Sequence, residues 1–240
     1  MQIQGGTVTV WVVILAVIAV IALLYVLSAW RKYRRAEFIR TYRWPAALLD
    51  HLEKRRPGLA RKDSALVAQG LRQFFVAYLM SGRRYVSMPS QVADDLWHEF
   101  ILYTREYERF CSQAFGTFLH HSPATVLTRE RRSSNEGLRR VWWHCCKYES
   151  IDPVNPSRLP LLFALDGKLK IPGGFVYHPN CDALRRGGGY GGQCGADFAS
   201  SSVDGSTSGF GDSGSSSDGG SSDGGGDGGG DGGGGCGGGD

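Results

Sequence analysis

No charged side chain occurs before Arg31, and no lysine or arginine occurs after Arg186. The first absence excludes a water-facing role for the N-terminal segment. Val8 to Ala29 holds only Thr9 and Ser28 among apolar residues, and a hydrocarbon layer is crossed by about 20 such residues in a helix. It also speaks against a cleaved secretory signal, which needs a charged n-region, a shorter apolar core and a small-x-small cleavage site that Leu27-Ser28-Ala29 matches poorly. The second absence splits the chain electrically. Residues up to Arg186 carry 27 basic against 15 acidic groups, a net +12, while the remainder carries eight aspartates and no basic residue. The modest overall charge of +4 hides these two opposite segments.

Other things are missing too. There is no CxxC or HxxxH pair of the kind that advertises a zinc site, and no GxSxG for a serine nucleophile. Gly173-Gly174 and the run after Arg185-Arg186 lack the GK[ST] ending of a phosphate loop, which excludes a nucleotide site of that type. The six cysteines are irregularly spaced, and in a reducing cytoplasm they are expected as free thiols. From Gly211 onward no aliphatic or aromatic residue exists to build a core, so residues 183–240 are expected to be a disordered, acidic, glycine-rich tail.

What is present is mostly helical pattern. Residues 8–30 read as one transmembrane helix after a short extracytoplasmic stretch, 1–7. Trp11, Tyr25 and Trp30 stand near its ends, and Arg31, Lys32, Arg34 and Arg35 follow as membrane-surface basic residues. The one-sided basic flank places the N-terminus outside and the rest in the cytoplasm, at the inner or plasma membrane. Residues 31–60 form a basic juxtamembrane helical segment broken at Trp44-Pro45, because proline cannot donate the helical hydrogen bond. Residues 61–182 form the helical domain. Its helices are expected from an Asp63 N-cap to Gly82, from a Ser90 cap, from a Thr104 cap to Gly116, and over about 135–148. Residues 152–180 hold five of the nine prolines and are expected as ordered coil with one helical turn or a short hairpin, packed by Phe163, Leu165, Phe175 and Tyr177. The fold class is therefore all-α: one spanning helix, a small helical bundle, an irregular proline-rich segment and the tail.

The residues able to carry chemistry are few. His98 lies off the apolar stripe of its helix, one turn after Asp94, so the two can pair at i, i+4. Asp94, Trp97, His98, His120 and His121 form the motif of functional interest, and a metal, if bound, would draw on His98, His120 and His144. Only one member of the His120/His121 or Cys145/Cys146 doublets can join a common centre, since neighbours diverge by about 100° on a helix and alternate on an extended chain. Cys111 and Cys145 fall on apolar stripes and read as small hydrophobes. No catalytic residue and no required cofactor follows from the sequence; zinc is the ion this donor set would take.

Over Asp94-x-x-Trp97-His98-x-x-Ile101-Leu102-x-x-Arg105-x-Tyr107, then Phe110-Cys111, Phe115-Gly116 and His120-His121-x-Pro123, the sequence resembles the glycine-rich domain-containing protein family. It is similar also to bacterial membrane-anchored proteins that end in glycine-rich, cysteine-dotted tails. The resemblance implies that the Trp97-His98 motif is a signature of the domain; it brings no catalytic residue. The primary expectation is a non-catalytic, membrane-tethered module that binds membrane lipids or a protein partner. The first alternative is a metal-dependent hydrolase using Asp94, His98 and His120 or His121. The second, an RNA-binding module, is disfavoured because nucleic-acid stacking needs exposed aromatics and most here face inward.

Overall fold

The computed structural model describes residues 4–121, 136–179 and 193–198, and the fold is all-α. Among these residues the helices are α1 (Gln4–Thr41), α2 (Ala46–Arg55), α3 (Arg61–Met80), α4 (Gln91–Leu102), α5 (Thr104–Phe115), α6 (Glu136–Tyr148) and α7 (Leu161–Lys168). A two-residue parallel pair, β1 (Tyr177–His178) with β2 (Gln193–Cys194), and a 3-10 turn at Ala196–Phe198 complete them. The expected disordered tail lies outside the described residues.

α1 runs unbroken for 38 residues, about 57 Å at 1.5 Å per residue. Its apolar part, with mean hydropathy 3.2, is long and apolar enough to cross a membrane and is not covered by the rest of the chain. Ala36 and Ile39, further along the same helix, are fully buried. The helix thus passes from a bare apolar shaft directly into the bundle core, with no linker between.

The centre of the bundle is α3, which packs against α1, α2, α4, α6 and α7. Its Val67, Leu71, Phe74 and Phe75 are fully buried, as the i, i+4, i+7 spacing requires. Aromatic rings fill the space among α1, α3, α4 and α5: Phe75, Phe100, Phe110 and Phe115 meet at 5.0–5.9 Å, with Tyr42 and Trp44 closing the layer. Such pairs add about 0.5–1.5 kcal/mol each beyond their burial. Because α1 and α2 contribute Ala36, Ile39, Leu48 and Leu52 to this core, the basic juxtamembrane segment is part of the bundle.

Several local expectations are corrected. α3 begins at Arg61, so Asp63 sits at the third helical position and accepts from the Ala60 N–H at 3.1 Å; the residue order Ala60-x-x-Asp63 satisfies the helix start from within. The residue before α5 is Tyr103, not Thr104, and no side chain caps that helix. Ser90 does cap α4, accepting from the Ala93 N–H at 3.2 Å. The proline-rich stretch holds a two-turn helix, α7, where coil with one helical turn or a short hairpin was expected, and Phe175 is 49% exposed rather than packed. Phe163, Leu165 and Tyr177 are buried as expected. Finally, Cys194 is disulfide-bonded, against the expectation of free thiols throughout; Cys111, Cys145 and Cys146 are free and buried.

Candidate metal centre

Asp94 and His98 occupy consecutive turns on one face of α4. His98 Nδ1 lies 2.8 Å from the Asp94 backbone oxygen and 3.3 Å from Asp94 Oδ2. A carbonyl oxygen only accepts, so in this arrangement Nδ1 is the donor. His121 arrives from the segment after α5, its Nε2 3.1 Å from Asp94 Oδ1. The two imidazoles meet at 4.3 Å between centroids. One ligand-capable atom from each of Asp94, His98 and His121 falls within 4.8 Å of the other two.

Three features bring His121 there. Gly116, at φ +70, turns the chain sharply at the end of α5, a conformation that disfavours any residue with a Cβ. The Tyr107 hydroxyl then donates to the Leu119 carbonyl at 2.6 Å while accepting from Trp97 Nε1 at 3.1 Å. Burial pushes the Tyr107 phenol far up, so it remains a neutral donor. The Trp97 ring stands edge to face with His121 at 4.6 Å. Trp97 therefore builds core and centre at once: its ring packs on Phe74 and Phe75, and its N–H holds the tyrosine that holds the loop.

Of the two neighbouring histidines only His121 joins. Leu119 points inward, His120 outward against Phe118 at 4.8 Å, and His121 inward again, as an extended chain alternates. His144 lies on α6, which packs on α3 and α7, and is outside the group. Of the residues singled out from the sequence, Asp94, His98 and His121, the set of the hydrolase alternative, come together, while His120 and His144 lie outside the group. Cys146 is pushed up to about 12 by burial and Cys145 well above the ordinary thiol range, so neither is a thiolate ligand or nucleophile near neutrality.

The group is reachable from water: Asp94, His98 and His121 side chains are 31%, 43% and 18% exposed. Metal–ligand bonds of about 2.0–2.2 Å at a tetrahedral angle put ligand atoms about 3.3–3.5 Å apart. The Asp94–His121 separation of 3.1 Å is close to that value. A nitrogen-rich set of two imidazoles and one carboxylate suits zinc or a neighbouring transition metal better than magnesium or calcium. Three protein ligands leave a fourth position open to solvent.

The basic residues divide differently from the sequence expectation. Lys32 Nζ donates to the Met80 carbonyl at 3.0 Å, and Arg35 Nη1 to the Phe115 carbonyl at 2.8 Å, so these two strap α1 to the ends of α3 and α5. Arg31 and Arg34 are exposed, and the Arg34 guanidinium lies over the Trp30 ring at 5.6 Å. Arg139 and Arg140 are 7% and 2% exposed, and Arg140 pairs with Glu136 and donates to the Tyr85 carbonyl. Both are buried within the bundle, while Arg131 and Arg132 lie outside the described residues.

No curated protein and no solved structure matches the chain. A protein family does, over residues 34–198, which is the whole bundle from the turn of α1 that enters it to the final 3-10 turn. The bare apolar part of α1 lies outside that match, and on this extent the chain belongs to the UCP032817-like family.

Proposed function

We propose that this chain is a single-pass membrane protein whose helical domain, on the cytoplasmic side, binds a divalent transition-metal ion through Asp94, His98 and His121. The observation that carries the reading is the convergence of His121, from beyond the Gly116 turn, on the i, i+4 pair of α4. An exposed Asp–His pair alone is commonly a stabilised helix face. A third donor delivered by a buried Trp97–Tyr107–Leu119 relay is a larger structural commitment than stability of one face demands. With one position open, the reaction class that fits is metal-assisted hydrolysis, in which the ion lowers the pKa of a bound water.

The anchor reading rests on the length and hydropathy of α1 and on the exposed Arg31 and Arg34 at its cytoplasmic end. A non-catalytic module that binds lipid or protein is the second reading. It is favoured by one fact: the Asp94–His121 hydrogen bond closes a latch between α4 and the loop after α5.

Metal analysis of the full-length protein in detergent separates the two. After stripping with a chelating resin and reloading with zinc, the wild type is expected to retain about one equivalent. His98→Ala and His121→Ala are expected to retain little while keeping the helical circular-dichroism signal. A wild-type protein that stays folded and takes up no zinc at micromolar concentration leaves the latch reading alone.

A further inference from the structure

The height of the bundle above the membrane can be read from α1, because that helix is continuous from its apolar shaft into the core. Lys32 is three residues, about 4.5 Å of helix rise, past Ala29, the end of the apolar run. Its ammonium holds the carbonyl of Met80, the last residue of α3, and Arg35 one turn further holds the carbonyl of Phe115, the last residue of α5. At the far end of the same packing, Arg72 of α3 donates to the Tyr42 carbonyl at 2.7 Å and Phe110 of α5 meets Tyr42 at 4.8 Å. Both α3 and α5 therefore run antiparallel to α1, with their C-terminal ends toward the apolar shaft.

The turn leaving α3 consequently sits at the level of Lys32. It is an unusual turn: Gly82 and Arg83 both adopt left-handed φ, +74 and +63, although only the first is glycine. A residue with a side chain persists there only when its surroundings impose it. Here the Arg83 N–H donates to the Tyr78 carbonyl at 3.0 Å and its guanidinium to the Phe115 carbonyl at 3.0 Å, beside that of Arg35. Arg83 and Arg84 are left exposed, at the same level as exposed Arg31 and Arg34. Among the described residues, Arg31, Arg34 and Arg84 form no ion pair.

We infer that the turn Ser81-Gly82-Arg83-Arg84, together with Arg31 and Arg34, is a docking surface for anionic phospholipid headgroups, which seats the bundle flush on the bilayer. The inference rests on the reading of α1 as a membrane anchor. Its occupant follows from charge and place: the exposed Arg31, Arg34 and Arg84 stand on a rigid collar, a few ångströms beyond the apolar shaft, at the level where anionic headgroups concentrate. The anchor alone would hold a domain near a membrane; the straps of Lys32, Arg35 and Arg83 fix which end of it faces the lipid.

The test uses the full chain in nanodiscs of phosphatidylcholine containing phosphatidylglycerol with a photoactivatable headgroup, with cross-links mapped by mass spectrometry. Cross-links are expected within residues 81–84 as well as 31–34. Arg84→Glu is expected to cut those at 81–84 at least fivefold while leaving 31–34 unchanged. Cross-links confined to 31–34, or equal yield at 81–84 from a photoactivatable phosphatidylcholine, would overturn the docking surface while leaving the anchor intact. A chain that stays soluble without detergent and enters no nanodisc defeats the anchor reading itself.

Discussion

Tyr107 does two jobs with one oxygen. Its hydroxyl accepts from Trp97 Nε1 and donates to the Leu119 carbonyl, so removing it orphans a buried donor and a buried acceptor together. Tyr107→Phe is expected to cost about 2 kcal/mol, the usual penalty for leaving buried groups unsatisfied. It is also expected to weaken zinc binding about tenfold, as loss of a group that orients a ligand does. Thermal unfolding and a zinc titration on the same samples check both, with His120→Ala as the control that changes neither, because that ring is exposed against Phe118. Loss of stability with unchanged zinc affinity would make Tyr107 a core residue only. The sequence made Asp94 and His98 legible as a pair, since helical spacing is fixed by geometry. It could not choose between His120 and His121. That choice depends on the direction in which the chain leaves Gly116 and on the relay to Leu119, twelve residues of separation bridged by a phenol. Arg35 shows the same limit: nothing local reveals that its guanidinium also satisfies the last carbonyl of a helix eighty residues away.

At the level of elements, α7 is the lesson. Its first five residues are all apolar, so no 3.6-residue alternation survives, and Pro160, Gly167 and Pro172 punctuate it like a loop. It is a helix because the bundle completes it from outside. Glu149 accepts from the Leu161 N–H at 2.6 Å and Gln73 from the Leu162 N–H at 3.0 Å, which supplies the start that its own sequence lacks. Gly70 on α3 lets Leu165 approach so closely that a Cβ there would overlap it. In return, α7 caps α4. The buried Asp166 carboxylate accepts from the Gln91 N–H at 2.7 Å, the Val92 N–H at 3.2 Å, the Ser90 hydroxyl at 2.8 Å and the Phe175 N–H at 2.9 Å. An anion at a helix N-terminus is further favoured by the helix dipole. Asp166→Asn replaces one acceptor oxygen with a donor facing other donors and removes the charge. It is expected to destabilise the domain by about 3 kcal/mol, consistent with losses seen when charge-assisted bonds are broken in buried sites. A drop of several degrees in the unfolding midpoint, with frayed exchange at the amides of residues 91–93, is the signature. An unchanged midpoint would mean that Ser90 alone starts α4. The stripes of α3, α4 and α5 were readable because each is long enough to show a buried face; α7 was not, because its reason for being helical lies on other elements.

For the whole molecule, two observations pull toward opposite compartments. On the proposed anchor reading, the absence of charge before Arg31, with Arg31, Lys32, Arg34 and Arg35 directly after the apolar run, would put the bundle in the cytoplasm by the positive-inside bias. The disulfide at Cys194 belongs to an oxidising environment, which the cytoplasm is not. The first acts during insertion and is set irrevocably by the chain; the second responds to redox conditions afterwards and is reversible. A cytoplasmic bundle would hold Cys194 mostly as a thiol, with its last strand pair still secured by the backbone bond from the Gly195 N–H to the His178 carbonyl at 2.7 Å and by Phe198 packing on Trp142 and Phe163. In cells quenched rapidly with acid, Cys194 is therefore expected to be alkylated without prior reduction. Protease added outside intact spheroplasts is expected to spare a C-terminal epitope. Cleavage of that epitope together with an oxidised Cys194 would invert the topology and place the Asp94–His98–His121 centre outside the cell. The charge asymmetry of the sequence would then have lost to a signal carried elsewhere in the chain.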